Sequence, residues 1–245
     1  LETSVVADAS SQNCGAAYIA LQHSRFNDYF VADFQSLMRI AGLQIHRLKR
    51  TDLPEDTPAL ARWLLGKLVV RRDAEGVTAG RIVETEAYMS DDPACHAHIG
   101  PTPRNRTLFL RRGHAYVYLA YGTSWMLNVS SGAEGEGAGV LIRAVEPVAG
   151  VPLMIARRGT DKLRDLTRGP GRVAQALAID RSLDGLDLTA DARLWLGAEA
   201  GAAECISRAM IGVSTRIGLT KGVHLEHRFF LKGNPFVSGP RALNR

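Results

Sequence analysis

From Leu53 onward the apolar positions fall into short blocks, and their spacing predicts the elements. Lys67–Arg72 and Val77–Tyr88 read as strands flanking Asp73-Ala-Glu-Gly76, a hairpin turn. His114–Tyr121 and Trp125–Ser130 are rich in Tyr, Val, Leu and Trp, and they flank Gly122-Thr-Ser124 as a second hairpin. Further strands are expected over Val140–Val145, Arg193–Leu196, Ala209–Ile217 and Arg228–Leu231, with a turn at Gly233-Asn-Pro235. Thr57-Pro58 followed by Ala59, Leu60, Trp63 and Leu64 predicts a capped helix with proline at its first position. Val148–Arg158 and Gly171–Ile179 predict two more helices, the second after Gly169-Pro170. Strands joined in hairpins, rather than in strict β–α–β alternation, predict an α+β fold. The expected domain is single and mixed, with a mostly antiparallel curved sheet, flanking helices and a protruding β-hairpin.

Residues 1–50 lack such periodicity and carry scattered Ser, Asn and Gln. They are set apart as an N-terminal extension, partly mobile, leaving the folded domain to residues 51–245. With 46% hydrophobic residues, the chain of 245 can bury a core. Three distant cysteines (Cys14, Cys95, Cys205) form no disulfide framework and no CxxC knuckle, which points to a reducing compartment. No apolar run approaches the roughly 20 residues of a membrane span, and no basic stretch leads into an apolar signal core. An intracellular, soluble protein is therefore expected. Thirty Lys+Arg against 25 Asp+Glu give +5, a mild hint of a polyanionic partner.

Candidate chemistry clusters in four places. In Gly80–Tyr88, strand alternation would put Ile82, Glu84, Glu86 and Tyr88 on one face. Two carboxylates so close are either a solvent-facing stripe or the site of a general base, and spacing alone leaves Glu84 and Glu86 equal. Asp91, Asp92, Cys95, His96 and His98 share a loop and raise a metal hypothesis that no second ligand cluster completes. Thr102–Arg112 carries four arginines and no acid, and Lys162, Arg164, Arg168 and Arg172 form a second basic stretch. Gly169-Pro-Gly171 before a helix would leave N–H groups free for phosphate oxygens, so both stretches favour nucleic acid. Finally, Tyr116 and Tyr118 share a strand face, while Tyr121 beside the turn has little core within reach. An aromatic wedge between bases is one use for such a residue, and a π-lined pocket is a use for Tyr88, His96 and Tyr118.

Taken in order, Arg81-Ile-Val-Glu-Thr-Glu-Ala-Tyr88, His96, Thr102-Pro-Arg-Asn-Arg106, Tyr116-Val-Tyr118, Tyr121-Gly122, Asn128, Ala138–Pro147, Gly169-Pro-Gly171, Arg216-Ile-Gly218 and Gly233-Asn-Pro235 resemble the alkyladenine (3-methyladenine) DNA glycosylase family. The resemblance runs from about Leu53 to the end. It implies a base-excision-repair enzyme whose hairpin enters the DNA minor groove. By that resemblance Glu86 is the general base, and Arg143 positions the water together with the backbone carbonyl of Leu219. Tyr88, His96 and Tyr118 stack around the flipped base, and Asn128 crowds the 2-amino group of guanine. Tyr121 intercalates, with Thr123 beside it in place of a bulkier residue. Arg104, Arg106, Gly169, Gly171 and Arg172 fall to the DNA backbone.

The implied reaction is hydrolysis of the N-glycosidic bond of damaged purines. The substrates would be 3-methyladenine and 7-methylguanine, extending to hypoxanthine and ethenoadenine. No lysine lies in the matched pocket motifs, so a monofunctional enzyme leaving an abasic site is expected. No cofactor and no metal are expected. The partner is double-stranded DNA containing damaged purines, with no membrane association. The protein would act as a monomer, in the cytoplasm or nucleoid of a bacterium or the nucleus of a eukaryote. Two other classes remain beside this one: a non-catalytic nucleic-acid-binding module, and a metal hydrolase built on Asp91, Asp92, His96 and His98.

Overall fold

The computed structural model describes residues 38–201 and 206–244. Its strands are β1 (Met38–Ile40), β2 (Leu43–Arg47), β3 (Leu68–Asp73), β4 (Gly76–Tyr88), β5 (Ala115–Ala120), β6 (Ser124–Ser131), β7 (Ala138–Ala149), β8 (Leu194–Glu199), β9 (Ile211–Ser214) and β10 (Arg228–Leu231). They form one sheet in the order β1-β2-β8-β3-β4-β7-β6-β5, with β10 paired to β4 and β9 to β10. Every strand pairing among the described residues is antiparallel. The helices are α1 (Thr57–Trp63), α2 (Val151–Arg158), α3 (Leu163–Leu166) and α4 (Pro170–Ala176). The fold is α+β with a mostly antiparallel open sheet, as the hairpin pattern predicts.

Strand β4 is the organising element because it is long enough to serve three partners. Its first half pairs with β3 and its second half with β10, while β7 runs along the other edge. The turn between β3 and β4 is the expected one: Asp73 accepts from the N–H groups of Glu75 and Gly76, at 3.0 and 3.2 Å.

Period-2 alternation sorts the rest. Ala115, Val117, Leu127 and Val129 face a core shared with Leu60, Leu64, Met154, Val173 and Leu177 from the helices. Their neighbours Tyr116, Tyr118 and Asn128 therefore point to the opposite face, and that face carries the candidate site.

Several boundaries differ from the expectation. The cap of α1 is Asp56, whose carboxylate accepts from the Ala59 N–H at 2.8 Å; Thr57 is already helical. Val148 and Ala149 complete β7, and α2 starts only after Gly150 reverses the chain at φ 70°. The strand expected over Ala209–Ile217 contracts to Ile211–Ser214, because Arg216 and Ile217 turn away to bond the end of β4 and Glu86. Met38–Arg47, within the segment set apart as an extension, supplies β1 and β2. Ile40 and Ile45 pack there against Leu68, Val70 and Trp195. The expectation of mobility falls on residues 1–37, which lie outside the described residues, as do Cys14 and Cys205.

Candidate active site

Both carboxylates of Glu84 and Glu86 are fully buried, so the solvent-facing stripe is overturned. The cause is an irregularity in the β4–β7 ladder. Two residues of β4 (Val83, Glu84) oppose one of β7, and the next step reverses the excess, leaving Arg143 as the extra residue of β7. Ile82 is thereby turned to the main core with Ala87, off the carboxylate face. The bulges aim Glu84, Glu86 and Arg143 into one polar layer.

The two carboxylates are held differently. Glu84 accepts from Arg228 Nε at 2.7 Å, Arg143 Nε at 3.1 Å, the Ser238 N–H at 2.6 Å and the Ser238 hydroxyl at 3.0 Å. Burial alone would raise its pKa, but the Arg143 and Arg228 guanidiniums, with the Ser238 N–H, hold it below the usual carboxylate range. Both oxygens of Glu84 are thus engaged by structure, Oε1 by three donors and Oε2 by the Ser238 N–H. Glu86 accepts from the Ile217 N–H at 2.8 Å and Arg143 Nη1 at 3.2 Å, and its third partner is the Tyr88 hydroxyl at 2.8 Å. Burial and the facing Glu86 carboxylate push the Tyr88 phenol well above its ordinary value, so it remains a donor. Through Tyr88, Glu86 is linked to the neighbouring cavity.

That cavity measures about 310 Å³, within the ~300–1,000 Å³ range of small-molecule sites. Tyr88, His96, Tyr118, Asn128, Leu219, Tyr121 and Arg104 all line it, so every base-pocket residue expected from the sequence arrives at one place. Glu86 and Arg143 lie behind its wall rather than on it. Tyr116 and Tyr118 stack with centroids 5.2 Å apart, and His96 meets the Tyr118 edge at 4.5 Å. Burial raises the Tyr118 phenol to about 12. His96 Nδ1 lies 2.8 Å from the Tyr116 hydroxyl, and burial together with the Arg104 cation lowers its pKa. Asn128 stands opposite Tyr116 in the ladder and donates to the Tyr116 carbonyl at 3.2 Å.

At the hairpin tip, Tyr121 has φ 50° and Gly122 has φ 68°, a turn whose twist matches the flanking strands. Holding a tyrosine in the left-handed region costs about 1–3 kcal/mol and exposes 86% of it. Thr123 is exposed beside it.

The basic stretches divide. Arg112 pairs with Glu55 at 2.7 Å and Arg111 approaches Glu134 at 3.9 Å, whereas Arg104 and Arg106 stay exposed without an acidic partner among the described residues. Arg172 is exposed and paired with Asp165 at 3.1 Å. Gly169 has φ 128°, which favours glycine, and a side chain at Gly171 would meet Ser124 Cβ at 2.9 Å. Gly171 thus seats α4 against the start of β6, next to the hairpin tip.

The metal hypothesis loses Asp92, which is consumed by a buried ion pair with Arg216 and by the Ala94 N–H at 2.9 Å. Among the described residues no three metal-ligating side chains converge. Arg216, Arg228, Ser238 and the Ile217 N–H are the contributors that the sequence left unassigned. One signal was present: Arg228 is a charge opening an otherwise apolar strand, Arg-Phe-Phe-Leu.

Comparisons with known proteins give the family. The family model described as "Methylpurine-DNA glycosylase (MPG)" matches residues 51–235. A protein of Mesorhizobium japonicum is 59% identical over 196 residues, covering 80% of this chain and 92% of the relative. One from Paraburkholderia phytofirmans is 50% identical over 207 residues, with 84% and 94% covered. A third, from the archaeon Methanoculleus marisnigri, is 49% identical over 183 residues, with 75% and 94% covered. Each is named "Putative 3-methyladenine DNA glycosylase". An aromatic cavity backed by a buried carboxylate, on a chain matched over most of its length, leads to one conclusion: the chain belongs to the methylpurine-DNA glycosylase family, hydrolases acting on N-glycosyl bonds.

Proposed function

We propose that the protein excises alkylated purines from duplex DNA, 3-methyladenine and 7-methylguanine above all, and accepts hypoxanthine and ethenoadenine as neutral substrates. The observation that carries this reading is the joining of one aromatic cavity to one buried carboxylate by a single hydrogen bond, Tyr88 to Glu86 at 2.8 Å. A purine inside a duplex hides its C1′ from water, so the nucleotide has to leave the stack. Tyr121 fills the gap from the minor groove, with Thr123 making a small wedge. Arg104, Arg106 and Arg172, with the backbone at Gly169 and Gly171, hold phosphates without reading sequence.

An alkylated purine carries a delocalised positive charge, and stacking it among Tyr88, His96 and Tyr118 gains about 1 kcal/mol or more per cation–π contact. Asn128 crowds the 2-amino group of ordinary guanine. The glycosidic bond then breaks with its electron pair leaving on the purine, through an oxocarbenium-like sugar. Glu86 stabilises that cation and takes a proton from the water, which Arg143 and the Leu219 carbonyl hold as its oxygen bonds C1′. Among the described residues no lysine lines the cavity, so no Schiff base forms and an abasic site is the product. The test is a set of duplexes carrying each lesion. Free purine and strand breaks that appear only after alkali support the reading, and undiminished activity in chelator accompanies it. No purine release from any duplex sinks it.

Two further outcomes are expected. Tyr121→Ala should weaken binding to a lesion duplex about tenfold, a typical loss for one base-stacking aromatic, while leaving thermal unfolding unchanged because the ring is exposed. Unchanged lesion binding would count against the wedge. His96, whose pKa is lowered by burial and the Arg104 cation, takes up a proton at lower pH than an ordinary histidine. Affinity for a cationic lesion should therefore drop as pH falls through this lowered pKa and a second cation enters the pocket. His96→Gln should remove the acid-side drop in a binding titration.

A further inference from the structure

We propose that Asp92 and Arg216 are a positioning pair that locks three walls of the base pocket together and neutralises the charge behind Tyr88. The inference rests on the base-pocket reading above. Arg216 donates to Asp92, and both side chains are fully buried. The same guanidinium donates to the Ala87 carbonyl at 3.0 Å and the Gly222 carbonyl at 3.4 Å, and lies over the Tyr88 ring at 4.5 Å. The second Asp92 oxygen accepts from the Ala94 N–H at 2.9 Å, in the loop that leads to His96. Ile217, the next residue after Arg216, gives its N–H to Glu86, and Leu219 lines the cavity. One ion pair therefore ties the end of β4, the His96 loop and the 217–222 loop.

Gly222 supplies independent support. It has φ 57°, and a Cβ there would come within 2.9 Å of Asp92 Oδ1 and 3.1 Å of Arg216 Nη2. The loop closes onto the pair only because that residue is glycine.

The pair also has an electrostatic consequence. Arg216 covers the back of the Tyr88 ring, and a purine stacked on the ring's open face would sit one ring away from it. Paired with Asp92, the guanidinium presents little net charge. Without the Asp92 charge it becomes an uncompensated cation behind a pocket meant for cationic purines. A neutral purine would feel no such repulsion. A purely structural role predicts equal loss for both.

The experiment measures Kd for duplexes containing 7-methylguanine, hypoxanthine or no lesion, with thermal unfolding of each variant. Asp92→Asn should lose about tenfold more affinity for 7-methylguanine than for hypoxanthine. Arg216→Lys keeps both charges but not the planar fork. It should leave the ratio of the two affinities unchanged while base release falls about 100-fold, as for a small misplacement of reacting groups. Binding to undamaged duplex should be unaltered in both. An unchanged ratio in Asp92→Asn overturns the proposal, as does loss of cooperative unfolding in both variants, which would make the pair a folding element. If the wild-type protein prefers neither lesion over undamaged duplex, the base-pocket reading fails and this inference with it. If it discriminates and Asp92→Asn keeps the wild-type ratio, only this inference fails.

Discussion

Glu86→Gln is expected to bind a lesion duplex normally and to release its base about 10²–10⁴-fold more slowly, the range that a general base contributes. The amide keeps the size of the carboxylate, and its one oxygen can still accept from the Ile217 N–H, at 2.8 Å in the native site, while its NH2 takes the place of the oxygen that the Tyr88 hydroxyl reaches. It cannot take the proton of the attacking water or balance positive charge growing on the sugar. The measurement is single-turnover release beside an equilibrium binding titration. Near-normal release would falsify the assignment. Loss of binding together with release would mean that Glu86 holds the pocket rather than driving hydrolysis.

Glu84→Gln should act on stability first. From sequence spacing it is the natural comparison for Glu86, being the neighbouring carboxylate of the same strand. In the structure it is the shared counterion of two buried guanidiniums, Arg143 and Arg228. Removing one charge of such a group costs about 3–5 kcal/mol, because the arginines are left buried and under-compensated. Denaturant unfolding should show that loss near pH 7. The pH dependence has a definite sign. Folding lowers the pKa of Glu84, so its contribution is complete above the ordinary carboxylate range and is lost as pH falls through the folded value. Wild type and variant should therefore converge in acid. A constant difference down to low pH would show that charge is not the cause.

Arg228 explains why so large an effect hangs on one strand position. Besides Glu84, it donates to the Ser214 hydroxyl at 2.8 Å, the Ser238 and Leu243 carbonyls at 3.0 Å each, and the Asn244 side chain at 2.7 Å. The segment from Ser238 to Asn244 is thereby fastened to the layer that holds Arg143. Three buried carboxylates (Glu84, Glu86, Asp92) face three buried guanidiniums (Arg143, Arg216, Arg228), which explains how so many charges leave water together.

Local signals made much of the sheet readable. The Asp73–Gly76 turn, the Tyr-rich hairpin and the α4 start at Gly169-Pro170 are all set by turn chemistry and by period-2 spacing within a few residues. The same spacing put Tyr116 and Tyr118 on one face, where the structure has them. The errors fall where one residue more or less changes a face or a boundary. Gly150 ended β7 and delayed α2, and the paired irregularities at Val83 and Arg143 buried two carboxylates that plain alternation could not place.

The resemblance named Glu86 over Glu84, where spacing alone left them equal; in the structure Glu84 takes four hydrogen bonds from Arg143, Arg228 and Ser238, while Glu86 is linked to the cavity through Tyr88. By itself, then, the sequence determined the α+β hairpin architecture, the aromatic character of the site and the residues that gather there. These follow from local periodicity and from motifs read in order. Only the tertiary structure decided what those charges do. Arg216 meets Asp92 from 124 positions away and Arg228 meets Glu84 from 144, and no local pattern encodes which buried charge a distant loop will neutralise.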